Sequence, residues 1–142
     1  MRAERRDVGC IDLDVVIACS SGTYIRSLAR DLGADLGVGG HLTALRRTRV
    51  GAFNIADAVD ATEMVDARPL TPAAAAQQIL PVINVDADEA RDLRHGKRLL
   101  GQATRLEGAL VAAIDPEGTL VGIVEKRGAD VKSAMNMPED AS

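Results

Sequence analysis

The stretch at residues 11–33, I-D-L-D-V-V-I-A-C-S-S-G-T-Y-I-R-S-L-A-R-D-L-G, changes its periodicity halfway along. Apolar side chains occupy every second position from 11 to 19, which predicts a half-buried strand. A hydroxyl side chain within 20–23 is expected to cap the element that follows. Isoleucine and leucine then recur at helical spacing, which predicts a helix over 24–36. Gly33 weakens this helix, because glycine disfavours helix interiors.

The rest of the chain predicts further short strands and helices. They are, in order, a strand at 41–50, short helices within 51–80, a helix at 87–95, a hairpin of strands at 109–115 and 119–125, and a last strand at 131–137. Asp86 and Glu89 form a capping-box pattern, and Gly96 suits the end of the helix that they begin. We therefore expect an α+β fold, with a partial mixed or antiparallel sheet and helices over 1–78 and a small β-rich domain over 79–142.

Length and composition exclude several classes of protein. A chain of 142 residues makes one ordinary domain or two small ones. Its two cysteines, with no Cys/His cluster nearby, exclude a disulfide scaffold and a four-ligand zinc site, and suit a reducing cytoplasm. No apolar run is long enough to cross a membrane. Tyr24 and Phe53 are the only aromatic residues, which excludes a protein that stacks many successive bases.

The net charge of −4 hides an uneven distribution. Residues 1–50 carry eight arginines against six acidic residues, whereas residues 51–90 carry one arginine against seven acidic residues. Within the first block, H-L-T-A-L-R-R-T-R at 41–49 contains three arginines and no acidic residue. A local basic stripe is typical of an RNA or DNA contact. Charge that protects an edge strand from aggregation is the alternative explanation.

Individual residues also have ordinary structural explanations. Tyr24 can be a half-buried aromatic at a helix start, and Leu45 can belong to a core. Arg26 and Arg30 share a helix face, since they are four residues apart, and that face can simply be solvated. No second ligand lies at metal spacing from either histidine, so we expect no metal site.

Two segments resemble the tRNA pseudouridine-55 synthase family in order and spacing. They are C-S-S-G-T-Y-I-R-S-L-A-R-D-L-G at 19–33 and G-G-H-L-T-A-L-R-R-T-R-V-G-A-F at 39–53. A third segment, D-E-A-R-D-L-R-H-G-K-R-L at 88–99, is similar to the start of the small PUA-like RNA-binding domain that closes these enzymes. The resemblance extends over most of this chain, but only over the back half of the family's architecture.

The resemblance implies a cofactor-free isomerisation of a uridine in the tRNA T-loop. A catalytic aspartate assists cleavage of the base–ribose bond, the uracil turns, and carbon 5 rejoins the ribose. The base must be flipped out of its stack to be reached. By resemblance, Arg26 pairs with the catalytic carboxylate and favours its ionised form, while Tyr24 and Leu45 contact the flipped base.

RNA binding is expected from two basic groups. They are Arg46, Arg47 and Arg49 in the first, and Arg94, His95, Lys97 and Arg98 in the second. Each suits contacts with the phosphates of tRNA, which is the partner that the resemblance implies.

The family's aspartate motif, G-x-L-D-P-x-A-x-G, has no match. The nearest stretch, at 9–12, lacks the proline and glycine that should follow, and Asp12 is expected to be a polar residue at a strand start. We therefore expect a fragment that is inactive alone and associates with the missing N-terminal half. The alternative is a non-catalytic PUA-like RNA-binding module. A third interpretation is a remnant that binds no RNA and dimerises to complete its sheet.

Overall fold

The computed structural model describes residues 2–5, 9–65 and 67–138. The chain divides into two compact units, Met1–Arg46 and Arg47–Ser142. Nearly all of the buried apolar side chains belong to the second unit. We describe each unit separately.

The first unit contains a two-stranded sheet and one helix. Strand β1 (Arg2–Arg5) pairs antiparallel with β2 (Ile11–Asp14), in a register that places Arg2 opposite Asp14. Helix α1 (Ile25–Asp35) confirms the helix predicted over 24–36. The strand predicted over 11–19 is wrong beyond Asp14, where β2 ends.

The start of α1 differs from the expected hydroxyl cap. Tyr24 is the N-cap residue, and its side chain makes no capping hydrogen bond. The hydroxyl groups of Ser20 and Thr23 lie 3.4 Å apart and bond to each other instead. The carbonyl oxygen of Tyr24 accepts from the amides of Ser27 and Leu28, which begins the helical hydrogen-bond series.

Gly33 has a packing role inside α1. A Cβ atom at this position would lie 2.2 Å from the carbonyl carbon of Gly39 and from the amide nitrogen of Gly40. The amides of Val38 and Gly39 both donate to the carbonyl oxygen of Gly33, so the chain turns back over the end of the helix. Only a residue without a side chain permits this close backbone crossing.

A short hairpin opens the second unit. Strands β3 (Arg49–Val50) and β4 (Phe53–Asn54) pair antiparallel, with Val50 opposite Phe53. The strand predicted over 41–50 is therefore present only in its last two residues. Two single-turn 3₁₀ helices follow, at Ile55–Asp57 and Ala61–Glu63, and the side chains of Asn54 and Asp60 cap them.

A four-stranded mixed sheet forms the centre of the second unit. Its strands are β5 (Val82–Asn84), β6 (Val111–Ile114), β7 (Leu120–Arg127) and β8 (Asp130–Asn136), in that spatial order. β5 runs parallel to β6, and the other pairs are antiparallel. The predicted hairpin and last strand are confirmed, whereas β5 was not predicted.

Helices cover both faces of this sheet. Alternate residues of β6 point to opposite faces, and they belong to two different core clusters. Helix α3 (Ala87–Arg94) packs Ala90 and Leu93 into one cluster. Helix α2 (Pro72–Ile79) packs Ala73 and Ala76 into the other. The expected α+β fold is confirmed, and the capping box of Asp86 and Glu89 is present at α3.

The last strand ties back to α3. The side-chain amide of Asn136 donates to the carbonyl oxygens of Leu93 and Arg94, at 3.1 and 3.2 Å. The Ser133 hydroxyl also donates to the oxygen of Leu93, at 3.3 Å. These bonds satisfy carbonyl groups that the end of a helix leaves without intrahelical partners. The domain boundary expected between residues 78 and 79 stays a prediction.

Candidate RNA interface

Tyr24 and Arg26 come together at the start of α1. The guanidinium carbon of Arg26 lies 5.4 Å from the centre of the Tyr24 ring, within the range of a cation–π contact. Both side chains are exposed, and Tyr24 retains 65% of its accessible surface. The helix start thus presents an aromatic face and a cationic fork side by side, which together can contact a planar base and a carboxylate.

Arg30 does not share this arrangement. Its Nε atom donates to the carboxylate of Asp31 at 2.8 Å, and both side chains are exposed. The i, i+4 spacing that places Arg26 and Arg30 on one face therefore does not give them the same partner. Arg30 is a natural comparison for Arg26 in mutagenesis.

Leu45 lies in the irregular segment between α1 and the hairpin. Its side chain is exposed, so the ordinary explanation of a core leucine does not hold within this unit. The backbone crossing at Gly33 and Gly40 fixes the point at which this segment leaves α1, five residues before Leu45. The segment is therefore anchored at its start, and Leu45 remains accessible to a ligand.

The first basic group consists of exposed arginines. Arg46, Arg47 and Arg49 are exposed, and none of them takes part in an ion pair within residues 2–5, 9–65 and 67–138. Arg49 donates from Nη1 to the carbonyl oxygen of Gly51 at 3.1 Å, which holds its guanidinium at the turn of the hairpin. Arginines in this state are ready to bind phosphate.

A shallow groove runs along the same hairpin. We call it the hairpin groove; it encloses about 230 Å³ and is lined by residues 47–50 and 53–55. Sequence reasoning missed it, because Phe53 was counted as an aromatic residue and quoted in the segment at 39–53 but given no role of its own. The alternation of apolar residues around the turn at 51–52 was the available signal.

The second basic group is largely neutralised by acidic residues. Arg94 donates from Nη2 to Asp115 at 2.8 Å, and only 5% of the Asp115 side chain is accessible. Lys97 donates to Asp92 at 2.8 Å. Arg98 lies 3.8 Å from Asp130. Arg94 therefore faces a buried carboxylate, whereas Lys97 and Arg98 are paired at the surface.

His95 is the remaining member of the second group. It is exposed and forms the C-cap of α3, with its amide donating to the carbonyl oxygen of Arg91 at 3.0 Å. The four predicted residues thus lie on one continuous segment at the end of α3 and the turn after it. Their predicted role in RNA binding stays a prediction.

The buried carboxylate of Asp115 has a lowered pKa. Burial alone raises the pKa, but hydrogen bonds from the backbone amide of Thr119 and from Arg94 outweigh that effect. The pKa of Asp92 is also lowered, chiefly by its hydrogen bond from Lys97. Sequence reasoning did not single out Asp115 as the partner of Arg94, and its position at the end of the apolar run 109–114 was the available signal.

The part of the chain that the structure describes contains neither a cluster of metal-ligating side chains nor a membrane-spanning helix. Within it, no group of three or more His, Cys, Asp or Glu side chains is placed to hold a metal ion. None of its helices is both long and apolar enough to span a membrane.

Comparison with known proteins accounts for these motifs. Residues 26–84 match the family model described as tRNA pseudouridylate synthase B C-terminal domain, and residues 80–138 match the one described as tRNA Pseudouridine synthase II, C terminal. The chain belongs to the tRNA pseudouridine synthase B family. The two models together extend over both units and confirm the family resemblance found in the sequence.

Three bacterial relatives, each named tRNA pseudouridine synthase B, show how far the similarity extends. The protein of Leifsonia xyli subsp. xyli is 50% identical over 140 residues, which are 97% of this chain and 46% of the relative. That of Corynebacterium diphtheriae is 49% identical over 87% of this chain and 41% of the relative. That of Cutibacterium acnes is 56% identical over 68% and 34%. The chain thus spans less than half the length of these relatives.

Proposed function

We propose that this chain supplies the tRNA-binding face and part of the active site of a tRNA pseudouridine synthase. The reaction is the cofactor-free isomerisation of a T-loop uridine to pseudouridine, in the cytoplasm. The observation that carries the proposal is the pairing of Tyr24 with Arg26 at the start of α1, in a chain of this family.

In this proposal, Arg26 pairs with a catalytic aspartate supplied from outside the chain. A guanidinium beside a carboxylate favours the ionised form, which the reaction requires at its start. Tyr24 and Leu45 contact the flipped uracil, the first through its ring and the second through its apolar side chain. Both side chains are exposed and therefore available to a ligand.

Phosphate binding is assigned mainly to Arg46, Arg47 and Arg49. This assignment is supported by two observations: the arginines lie in a stretch with no acidic residue, and they form no ion pair among the described residues. The group at 94–98 contributes a second contact. His95 takes part in it, together with the N–H donors of Arg94, Lys97 and Arg98 that remain accessible beside their acidic partners. The residues from 79 onward form the PUA-like RNA-binding domain in this proposal.

Association with a polypeptide equivalent to the family's N-terminal half completes the first unit. Among the described residues of that unit only Gly33 is buried, while Val16 is 98% exposed and Leu36 is 64% exposed. The apolar side of α1 also includes Leu28 and Leu32, both exposed. Exposed apolar surface of this kind is typical of an interface. The Leifsonia xyli relative is more than twice as long as the segment that this chain matches, so its remaining residues are numerous enough to cover that surface.

A non-catalytic RNA-binding module is the second candidate function. The observation that favours it is the distribution of the core, since both core clusters lie within residues 73–137. That part of the chain can fold and bind RNA without the first unit. In this case the isolated chain binds T-loop RNA with the same affinity whether or not an N-terminal polypeptide is present.

The test is reconstitution of activity. The chain is mixed with the part of the Leifsonia xyli synthase that it does not match, and an unmodified T-stem-loop RNA is scanned for pseudouridine by mass spectrometry. We expect pseudouridine in the mixture and none with the chain alone, and Arg26→Ala should abolish turnover in the mixture. If the two polypeptides bind each other and the RNA but form no pseudouridine, the catalytic proposal is wrong. Turnover by the chain alone would make Asp12 the residue to test.

A further inference from the structure

The hairpin groove is small and lined largely by apolar surface. Its floor is apolar, with Val50 and Phe53 directly opposite each other across the two strands and Ile55 beside them. Phe53 keeps 37% of its surface accessible, so part of its ring is open to a ligand. The volume of about 230 Å³ is below the range of pockets that hold drug-sized ligands, and it suits a smaller group such as a single heterocyclic base.

The charge around the groove selects the kind of partner. Residues 41–56 contain no acidic residue, although the whole chain carries a net charge of −4. Arg47 and Arg49 line the groove, and neither forms an ion pair within the described ranges. Arg49 donates from one guanidinium nitrogen to the carbonyl oxygen of Gly51, and its other N–H donors remain available to a ligand. An apolar floor beside cations that pair with no carboxylate among the described residues complements a base that is joined to a phosphate.

We infer that the hairpin groove binds one unpaired nucleotide of the RNA, with its base against Phe53 and its phosphate on Arg47 and Arg49. The inference rests on the proposed function and adds a base subsite separate in sequence from Tyr24, Arg26 and Leu45. Stacking of a base on an aromatic side chain is tolerant of sequence, because every base has a flat face. This subsite therefore fixes the position of the RNA strand and does not select its sequence.

The chain offers a site-specific probe for this inference, because Phe53 is its only phenylalanine. Growth with 4-fluorophenylalanine places a single ¹⁹F nucleus in the groove. The labelled chain is titrated with a short oligouridylate, and separately with an oligomer of the same phosphate count that lacks its bases. We expect the ¹⁹F resonance to move with the oligouridylate and to move far less with the abasic oligomer. Equal movement with both would overturn the inference, because the groove would then bind phosphate alone.

Substitutions provide the second measurement. Phe53→Leu should weaken oligouridylate binding roughly 5- to 150-fold, the range that loss of one base–aromatic stack gives, and leave abasic binding unchanged. Phe53→Tyr keeps the ring and should bind both oligomers like the original chain. Leu100→Ala, at an exposed apolar residue of the same unit, is the matched control and should change neither affinity.

The outcomes separate this inference from the proposed function. If both oligomers bind with strong salt dependence but the ¹⁹F resonance stays still, the base subsite is wrong and the proposed RNA binding stands. If neither oligomer binds even at low salt, the proposed function and the subsite fall together. An affinity of Phe53→Leu equal to that of the original chain also overturns the subsite, provided that Phe53→Tyr is equally unaffected.

Discussion

The guanidinium of Arg94 lies 2.8 Å from the carboxylate of Asp115, and the pair joins the end of α3 to the end of β6. The carboxylate is almost fully buried, whereas Arg94 keeps about a quarter of its side chain accessible. Asp115 also accepts from the amide of Thr119 at 2.8 Å, so the same carboxylate closes the turn between β6 and β7. One ion pair therefore ties a helix, a strand and a turn together.

Removal of Arg94 should destabilise the second unit. Loss of one partner from a fully buried pair costs about 3–5 kcal/mol. Because Arg94 is partly accessible to solvent, we expect Arg94→Ala to lower the free energy of unfolding by about 1–3 kcal/mol. Arg91→Ala is the control, since Arg91 pairs with Asp88 at the surface, and it should cost less than about 1 kcal/mol. Urea denaturation measures the free energy of unfolding of both variants. Equal losses would show that the pair of Arg94 and Asp115 stabilises the unit no more than the surface pair does.

The same pair predicts how stability depends on pH. The pKa of Asp115 is lowered from its ordinary value of 3.8 by its hydrogen bonds, so the folded state binds the proton less tightly than the unfolded state does. The stabilisation is fully present above pH 3.8 and is lost as pH falls through the lowered pKa. In a plot of the urea midpoint against pH, Asp115→Asn should therefore make the decrease at acid pH less steep. Asp88→Asn, at an exposed carboxylate, should leave that decrease as steep as before.

Gly33→Ala should weaken α1, even though alanine favours helices by about 1 kcal/mol relative to glycine. The new Cβ atom would lie 2.2 Å from the backbone of Gly39 and Gly40, so the crossing segment must move. Overpacking of this kind costs about 1–3 kcal/mol or more. Far-UV circular dichroism should show less helix. Asp35→Ala, at an exposed position of the same helix, should keep or raise the helical signal. A more helical Gly33→Ala chain would contradict the close crossing.

Substitution of Arg26 tests the proposed active site in the reconstituted enzyme. If Arg26 pairs with a buried catalytic carboxylate, its loss costs about 3–5 kcal/mol, or roughly two to three and a half decades when it appears wholly in the rate. Arg26→Lys should rescue poorly, because an ammonium group lacks the planar fork. Single-turnover kinetics measure the rate, with RNA affinity in parallel and Arg30→Ala as the control. A normal rate with weakened RNA binding would make Arg26 a phosphate contact.

The first basic group should contribute more to the salt dependence of RNA binding than exposed arginines that pair with carboxylates. Each lost phosphate contact reduces the slope of log affinity against log salt by roughly 0.7 for single-stranded RNA. The triple change of Arg46, Arg47 and Arg49 to alanine should therefore reduce the slope by about 2. The same change at Arg91, Arg98 and Arg127, which are exposed but paired with carboxylates, should have a smaller effect. Filter binding of a T-stem-loop RNA across a salt series measures both slopes, and equal changes would contradict the difference in pairing.

Local signals in the sequence predicted the helices well. The capping box of Asp86 and Glu89 and the helical spacing from 25 to 36 depend only on residues a few positions apart, and both appear as expected. The family motif likewise lies in a continuous stretch. By resemblance it assigns Tyr24 and Arg26 to one site. Their side chains lie in contact in the structure, and their roles stay predictions.

Strands were harder to predict, because a strand needs a partner. The alternation over 11–19 is real, but β1 pairs with only its first four residues. β5 has only three residues, and its parallel partner β6 begins 29 positions after it, too far for any local pattern to show. The pairing of Arg94 with Asp115 has the same cause, since a separation of 21 residues carries no spacing rule. These features belong to the packed sheet and not to any short segment.

The bonds from Asn136 to the end of α3 have a consequence for the order of events during synthesis. They join residues 43 positions apart, and the strand that carries Asn136 is the last of the four in the chain. Contacts of such separation form late, because the loop between them must first close. On a ribosome, α3 therefore emerges long before its carbonyl groups find their final donor. The second unit reaches its native state only after Asn136 has left the exit tunnel.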